Sequence, residues 1–269
     1  MTRAPKLLMM CVAGMASGLF SCSTVLPTTG FAPVNDIQMY YEIHGDGTPL
    51  ILLHGGLGNA QNWESQIPVF SKKYKVIALE SRGHGRSTFS EEPIGYSLMA
   101  SDVIAAMDFL EIRKAHVVGW SDGGIISLDL AINYPDRIIR AVAYGTNYDA
   151  SGLRADFSEN ETVKRGIARL SAEYLVLSPT PQLWDAFLAN IGNMWATEPH
   201  YSPEQLASIT VPMLILAGES DEGVFTEHTN EMARLIPNAE LTFISDTGHY
   251  AVWEKPDEFN EIVLEFLEK

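Results

Sequence analysis

Cysteine is almost missing from the chain. Its 269 residues hold two, Cys11 and Cys22, so everything beyond position 22 must fold without a disulfide or a thiol ligand. Basic residues are also scarce, at 18 Lys and Arg against 34 Asp and Glu, and the resulting formal charge of −16 repels phosphate backbones and anionic lipid surfaces. Nucleic acid is not expected as a partner. No apolar run reaches the roughly 20 residues that a membrane-spanning helix needs; one uncharged stretch, Leu7 to Phe20, is too short. Internal repeats are missing, and no histidine spacing follows H-E-x-x-H or another metal pattern, so neither a metal nor another cofactor is expected. What is present is ordinary globular composition, 46% hydrophobic and 19% charged, which excludes disorder as the main state and allows one sizeable core.

Arg3 and Lys6 precede the Leu7 to Phe20 run, giving residues 1–22 the form of a secretory signal. The stretch Leu19-Phe20-Ser21-Cys22 resembles a bacterial lipobox, in which the cysteine becomes the lipidated first residue, although Phe20 is bulkier than that motif prefers. The expectation is an exported protein, periplasmic or held at a membrane through Cys22; plain secretion and an uncleaved anchor are the other readings. Residues 23–30 (STVLPTTG) have tether chemistry and no periodicity, so the folded part is expected to begin near Phe31.

From there the pattern opens with a hairpin whose second strand is Gln38 to His44. It then alternates short β-rich apolar runs with amphipathic stretches, the signature of an α/β fold on a mostly parallel sheet. The expected strands are Pro49 to Leu53, Lys75 to Leu79, Ala115 to Trp120, Ile139 to Tyr144, Pro212 to Ala217 and Leu241 to Ser245. Helices are expected over Asn59 to Phe70, Leu98 to Leu110, Gly124 to Asn133, Thr226 to Leu235 and Pro256 to Leu267. The interval from Tyr148 to Thr210 is too long for an ordinary connection. It reads as a small helical cap (149–210) inserted into a core of 31–148 and 211–269, with helices over Glu161 to Leu177 and from Thr180, as N-cap with Pro181 in the first turn, to Trp195. The cap aromatics and methionine, Tyr174, Trp184, Phe187, Met194 and Trp195, either pack the cap onto the core or line a substrate cleft.

Gly119-Trp120-Ser121-Asp122-Gly123 follows one expected strand and precedes a helix, the strand-turn-helix setting that gives G-x-S-x-G its meaning. Such a turn exposes the Ser121 hydroxyl, and the Asp122 amide points into the same space from a helix N-terminus. A serine hydroxyl needs a base. Of seven histidines, His249 stands just beyond the last strand, at the sheet end where α/β ligands bind, and is the candidate. His44 and His116 read as structural, His200 and His228 carry no motif, and His54 braces its loop. The imidazole needs an acceptor, for which Asp221 gives the order Ser, Asp, His, with Glu219 the nearby competitor. The glycine-rich loop His54-Gly55-Gly56-Leu57-Gly58 offers a second oxyanion donor, the amide of Gly56 first and Leu57 next. Trp120, Leu57, Trp184 and Trp195 are the candidate substrate-binding side chains.

These residues resemble the α/β-hydrolase superfamily over about 31–269. Beside the elbow, the resemblance rests on His54-Gly55-Gly56 with Trp63 downstream, Arg82-Gly83-His84-Gly85-Arg86-Ser87 after a strand, and Gly248-His249 followed by Glu254-Lys255-Pro256. It implies a helix-flanked parallel sheet, a triad of Ser121, Asp221 and His249, and an oxyanion hole from the amides of Gly56 and Asp122. Glu80 departs from the usual Asp, which touches loop packing and not the triad; a serine nucleophile counts against the haloalkane dehalogenase and epoxide hydrolase branches. Gly-Trp-Ser-Asp-Gly-Gly-Ile is similar to the elbow of the valacyclovir hydrolase (biphenyl hydrolase-like) group, which implies recognition of a substrate α-amino group by Asp122; the other reading is an Asp that merely suits a helix N-terminus. The implied activity is hydrolysis of a carboxylic ester or lactone. C–C bond hydrolysis and cleavage of small amides or peptides are alternatives on the same triad, and a ligand receptor with a slow hydrolase pocket is a remote one.

Overall fold

A computed structural model of the chain describes residues 27–90 and 92–269. The leader, Cys11 and Cys22, and the first half of the tether (23–26) lie outside the described residues. Eight strands form one sheet: β1 (Thr28–Val34), β2 (Ile37–His44), β3 (Thr48–Leu53), β4 (Tyr74–Leu79), β5 (Ala115–Trp120), β6 (Ile138–Tyr144), β7 (Met213–Gly218) and β8 (Ala239–Ile244). Their order is β1-β2-β4-β3-β5-β6-β7-β8. β1 and β2 form an antiparallel hairpin, β2 joins β4 antiparallel, and all later pairs are parallel.

Every residue of β5 and β7 is buried, as continuous apolar strands must be when helices cover both sheet faces. Side chains alternate between the two cores. Ile51, Leu53, Ala141, Ala143, Met213 and Ile215 enter one, while Leu50, Leu52, Val142, Tyr144, Leu214 and Leu216 enter the other, the two-residue period of a strand.

The helices are α1 (Ile67–Phe70), α2 (Tyr96–Phe109), α3 (Asp122–Asn133), α4 (Glu161–Leu177), α5 (Trp184–Thr197), α6 (Pro203–Ala207), α7 (Thr226–Leu235), α8 (Ala251–Glu254) and α9 (Pro256–Leu267). Faces of α2, α3 and α7 close the first core; α1, α8 and α9 close the second. Among the described residues, no helix is long and apolar enough to cross a membrane.

Four local expectations change. The first strand starts at Thr28, ahead of Phe31, because Thr28 to Gly30 pair with Tyr41 to Ile43; two β-branched threonines lengthen the strand, and Gly30 leaves room for the Tyr41 ring. The stretch from Asn59 to Phe70 is not one helix: a 3₁₀ turn over Ala60–Trp63, closed by an Asn59/Asn62 capping box, is followed by α1 with Pro68 in its first turn, where a missing N–H does no harm. Thr180 makes no side-chain cap, and its own amide donates instead to Ser178 Oγ. The short α6, which the periodicity did not disclose, begins at a Ser202/Gln205 capping box.

Between β6 and β7, α4 begins at Asn160, whose side chain accepts the amides of Thr162 and Val163. Its Tyr174 stacks on Phe187 of α5, ring centres 5.0 Å apart, and Phe187 meets His84 of the core edge-on at 4.7 Å. Bridges between Asp149 and His200 and between Leu153 and Val224 complete the inserted segment and tie it to the core. It thereby covers the C-terminal ends of the parallel strands.

Candidate active site

Three of those strand ends supply one cluster. β5 turns into α3 through Ser121, a non-glycine residue with φ of 54°, in the left-handed region that costs on the order of 1 kcal/mol or more. The turn is held because the Ser121 amide donates to the Tyr144 carbonyl at 2.8 Å. Its neighbours must also lack side chains: a Cβ on Gly119 would lie 2.0 Å from the Gly123 carbonyl oxygen, and one on Gly123 equally close to that of Leu53.

The loop after β7 carries Asp221, whose Oδ1 accepts the amides of Gly223 at 2.7 Å and Val224 at 2.9 Å. The loop after β8 carries His249. Its amide donates to Glu222 Oε2 at 2.7 Å, its carbonyl accepts Trp120 Nε1 at 2.8 Å, and the Tyr144 hydroxyl donates to the Gly248 carbonyl beside it. These bonds leave His249 Nε2 3.0 Å from Ser121 Oγ, while Nδ1 lies 3.0 and 3.1 Å from the two Asp221 oxygens. A carboxylate facing Nδ1 assigns the proton to that nitrogen, which leaves Nε2 free to accept from the serine.

Electrostatics follow the same line. Burial disfavours the charge on Asp221, yet His249 and the two loop amides outweigh it and hold the carboxyl below its ordinary range. Burial likewise pulls His249 down, but Asp221, Glu222 and Asp122 raise it above its ordinary value. Glu219, the competitor, is exposed, with its amide tied to Ile244; being two residues earlier, it leaves the histidine to Asp221.

The amides of Gly56, Leu57 and Asp122 border the cleft above Ser121, and none has a hydrogen-bond partner among the described residues. Asp122 opens α3, so its amide carries the positive end of the helix. Gly55 to Gly58 form a tight turn with Leu57 at φ 65°. His54 braces it: Nδ1 donates to the Gly55 carbonyl at 2.7 Å, Nε2 accepts the Ser81 amide at 3.1 Å, and burial lowers its pKa to about 4. Glu80 accepts the amides of Ala60 and Arg86 and pairs with the Arg86 guanidinium, so it ties loops together away from Ser121.

The Asp122 side chain is buried in the cleft wall, where it accepts Tyr96 Oη at 3.0 Å and Trp195 Nε1 at 2.9 and 3.0 Å. Burial pushes its carboxyl up to about 6 against those two donors and His249. Of the candidate substrate-binding side chains, Trp120, Leu57 and Trp195 border the cleft and Trp184 does not. Its ring turns inward onto Tyr174 and Phe187, 5.0 and 6.1 Å away, because the first turn of α5 faces α4 there. The sequence reading missed Tyr96, Asn147, Phe157, Glu198 and Tyr250 in the lining. Of these only Tyr250, adjacent to His249, carried a signal that could have found it. The remaining histidines lie elsewhere: His44 beside Glu42, His84 against His54, His116 against Tyr74, His200 with Asp149, and His228 stacked on Tyr148. Among the described residues, no group of three or more His, Cys, Asp or Glu is arranged to hold a metal ion.

A family model described as alpha/beta hydrolase fold matches residues 48–174. The RutD protein of Azorhizobium caulinodans, which carries the name of a carbamate hydrolase, is 30% identical over 258 residues, covering 88% of this chain and 97% of that one. The 2-hydroxy-6-oxo-6-phenylhexa-2,4-dienoate hydrolase of Comamonas testosteroni is 28% identical over 266 residues, 87% of this chain and 92% of that one. Among solved structures, the N-acyl homoserine lactone degrading enzyme Est816 superposes with a TM-score of 0.74 at 29% identity, over 86% of this chain and 98% of that one.

Proposed function

The chain belongs to the α/β-hydrolase family, and from that premise we propose that it is a serine hydrolase cleaving carboxylic esters or lactones through an acyl-enzyme on Ser121. One observation carries this reading: Ser121 Oγ, His249 and Asp221 form a continuous hydrogen-bonded line with both spacings at 3.0 Å. Ser121 attacks the carbonyl carbon while His249 Nε2 takes its proton, and Asp221 stabilises the resulting imidazolium. The amides of Gly56 and Asp122 hold the oxyanion. His249 then returns the proton to the departing alkoxide. Water repeats the sequence on the acyl-enzyme and frees the acid.

C–C bond hydrolysis has a relative's name in its favour, but a dienoate is an anion. Two carboxylates, Asp122 and Glu198, line the cleft, with no Lys or Arg among its described lining residues. That lining supports neutral or cationic substrates instead. The reading is tested with a fluorophosphonate probe, which should label Ser121, and a panel of p-nitrophenyl esters, lactones and aminoacyl amides. Turnover of esters or lactones is expected; turnover confined to the amides or to dienoates would overturn it.

Asp122 sharpens the panel. A buried carboxylate held only by the neutral donors Tyr96 and Trp195 lacks a counter-ion, which a substrate ammonium group would supply. A charged hydrogen bond contributes about 1.5–3 kcal/mol, so aminoacyl esters should react roughly ten- to a hundredfold better than matched esters without the amine. Asp122→Asn should erase that ratio. With the carboxyl at about 6, the preference should hold between that pH and the substrate ammonium's own pKa of about 8, fading below as Asp122 protonates and above as the amine loses its proton. Equal rates on both esters before and after the substitution would remove amine recognition.

A further inference from the structure

Tyr96 is held at both ends by carboxylates that border the cleft with it. It opens α2 behind Gly95, which has no side chain to cap the helix, and its amide donates instead to Glu198 Oε2 at 3.0 Å. Its hydroxyl donates to Asp122 Oδ1, also at 3.0 Å. The tyrosine is only 2% exposed, so the two carboxylates are set apart by a fixed spacer. Gly95 lets Glu198 come close, since a Cβ there would lie 3.1 Å from its Oε1. The backbone of Glu198 is fixed too, its amide donating to the Met194 carbonyl at 2.7 Å where α5 ends.

Neither charge is balanced within the cleft. Asp122 is 5% exposed and meets only the neutral donors Tyr96 and Trp195. Glu198 is half-buried and accepts one neutral amide, and the lining offers no Lys or Arg to either. An amide at a helix start needs only an acceptor, which a glutamine would supply as well. The positive end of α2 offsets roughly half a unit charge at Glu198, so a carboxylate there still leaves negative charge over. Unpaired charge away from water is costly, and a ligand with two cations relieves both groups at once.

We propose that Glu198 selects for a second cation, so that the preferred substrates are esters of a dibasic amino acid with a side chain of lysine length, the α-ammonium on Asp122 and the terminal ammonium on Glu198. The inference rests on the ester and amine readings above and adds the substrate's side chain. Tyr96 supplies the measure. It donates to both carboxylates from the wall, so a molecule that donates to both from the cleft needs its donors about equally far apart. The two nitrogens of an extended lysine have nearly the separation of a tyrosine's amide and hydroxyl. The methylenes between them suit the apolar part of the lining, which includes Leu170 and the Trp195 ring that bonds the same Asp122.

The test compares the methyl esters of hexanoate, norleucine and lysine, which share one carbon skeleton and carry no amine, the α-amine, and both amines. In the wild type at neutral pH, the lysine ester should exceed the norleucine ester about tenfold or more in kcat/KM, chiefly through KM, the scale of one charged hydrogen bond. Glu198→Gln keeps an acceptor for the Tyr96 amide and removes the charge, so that ratio should fall to near one while the norleucine-to-hexanoate ratio, set at Asp122, holds. Glu198→Asp draws the charge back by a methylene; it should give an intermediate ratio and serves if the glutamine variant does not fold. Equal rates on the lysine and norleucine esters in the wild type, or a lysine preference that survives in Glu198→Gln, overturns the assignment and leaves Glu198 a cap for α2. Failure of the readings beneath it, which removes the proposal too, looks different. A norleucine ester no better than hexanoate marks the loss of amine recognition at Asp122, and no turnover of any ester, with Ser121 unlabelled by the fluorophosphonate probe, marks the loss of the hydrolase reading.

Discussion

Ser121→Ala should lower kcat on its best ester about a millionfold, the scale on which a nucleophile acting as one unit with its base is lost in serine hydrolases. The substitution removes one oxygen and little else. The left-handed turn at φ 54° persists because Gly119, Gly123 and the bond to Tyr144 impose it, and alanine tolerates that region no worse than serine does. Melting temperature and KM should therefore stay close to wild type while turnover disappears. The measurement is stopped-flow kinetics beside a calorimetric scan, with fluorophosphonate labelling lost in parallel. Residual turnover above about a thousandth of wild type would mean that another group, or a water activated by His249, attacks the carbonyl.

Legibility in the sequence followed the physics of each part. β7 could be read because burial on both faces leaves no polar residue to interrupt it, and α7 and α9 start and stop where the pattern says. The elbow was readable because Gly119 and Gly123 are dictated by backbone contacts within a few residues of Ser121. The pairing of Asp221 with His249 was readable as chain order, since both follow parallel strands that end at the same side of the sheet. What the sequence withheld depends on how the cap docks. Trp184 and Trp195 sit eleven positions apart on the same short helix with similar surroundings in sequence, yet one packs on Tyr174 and the other bonds Asp122. Glu198 enters the cleft from the C-cap of α5 and Phe157 from a single 3₁₀ turn over Phe157–Glu159, neither announced by an apolar period. The break between Trp63 and Ile67 was hidden for a local reason: the apolar spacing continues across it, and only Pro68 and the Asn59/Asn62 box favour two short turns over one helix.

Asp221→Asn tests the electrostatic half of the same site and should cost about 10⁴ in kcat, the scale seen when the acid of a serine triad is neutralised. The asparagine keeps the size of the side chain, and its amide oxygen can still accept the Gly223 and Val224 amides, so the loop should hold its shape. Two consequences separate this from a folding defect. If the oxygen stays with those amides, the amide NH₂ faces His249 Nδ1, and the ring is driven to the tautomer that carries its proton on Nε2, toward Ser121, where no base is then available. The charge that favours the imidazolium is also gone. In the wild type the free ring must be neutral to act, so kcat/KM is full at high pH and falls as pH drops through a His249 pKa that lies above its ordinary value. Without Asp221, burial dominates, with only Glu222 and Asp122 opposing it, and the residual activity should persist to lower pH than in the wild type. Measuring kcat/KM from pH 5 to 9 for both proteins decides the matter. A variant that loses activity with its acid limb unmoved would show that Asp221 serves the loop alone and that the imidazolium is stabilised from elsewhere.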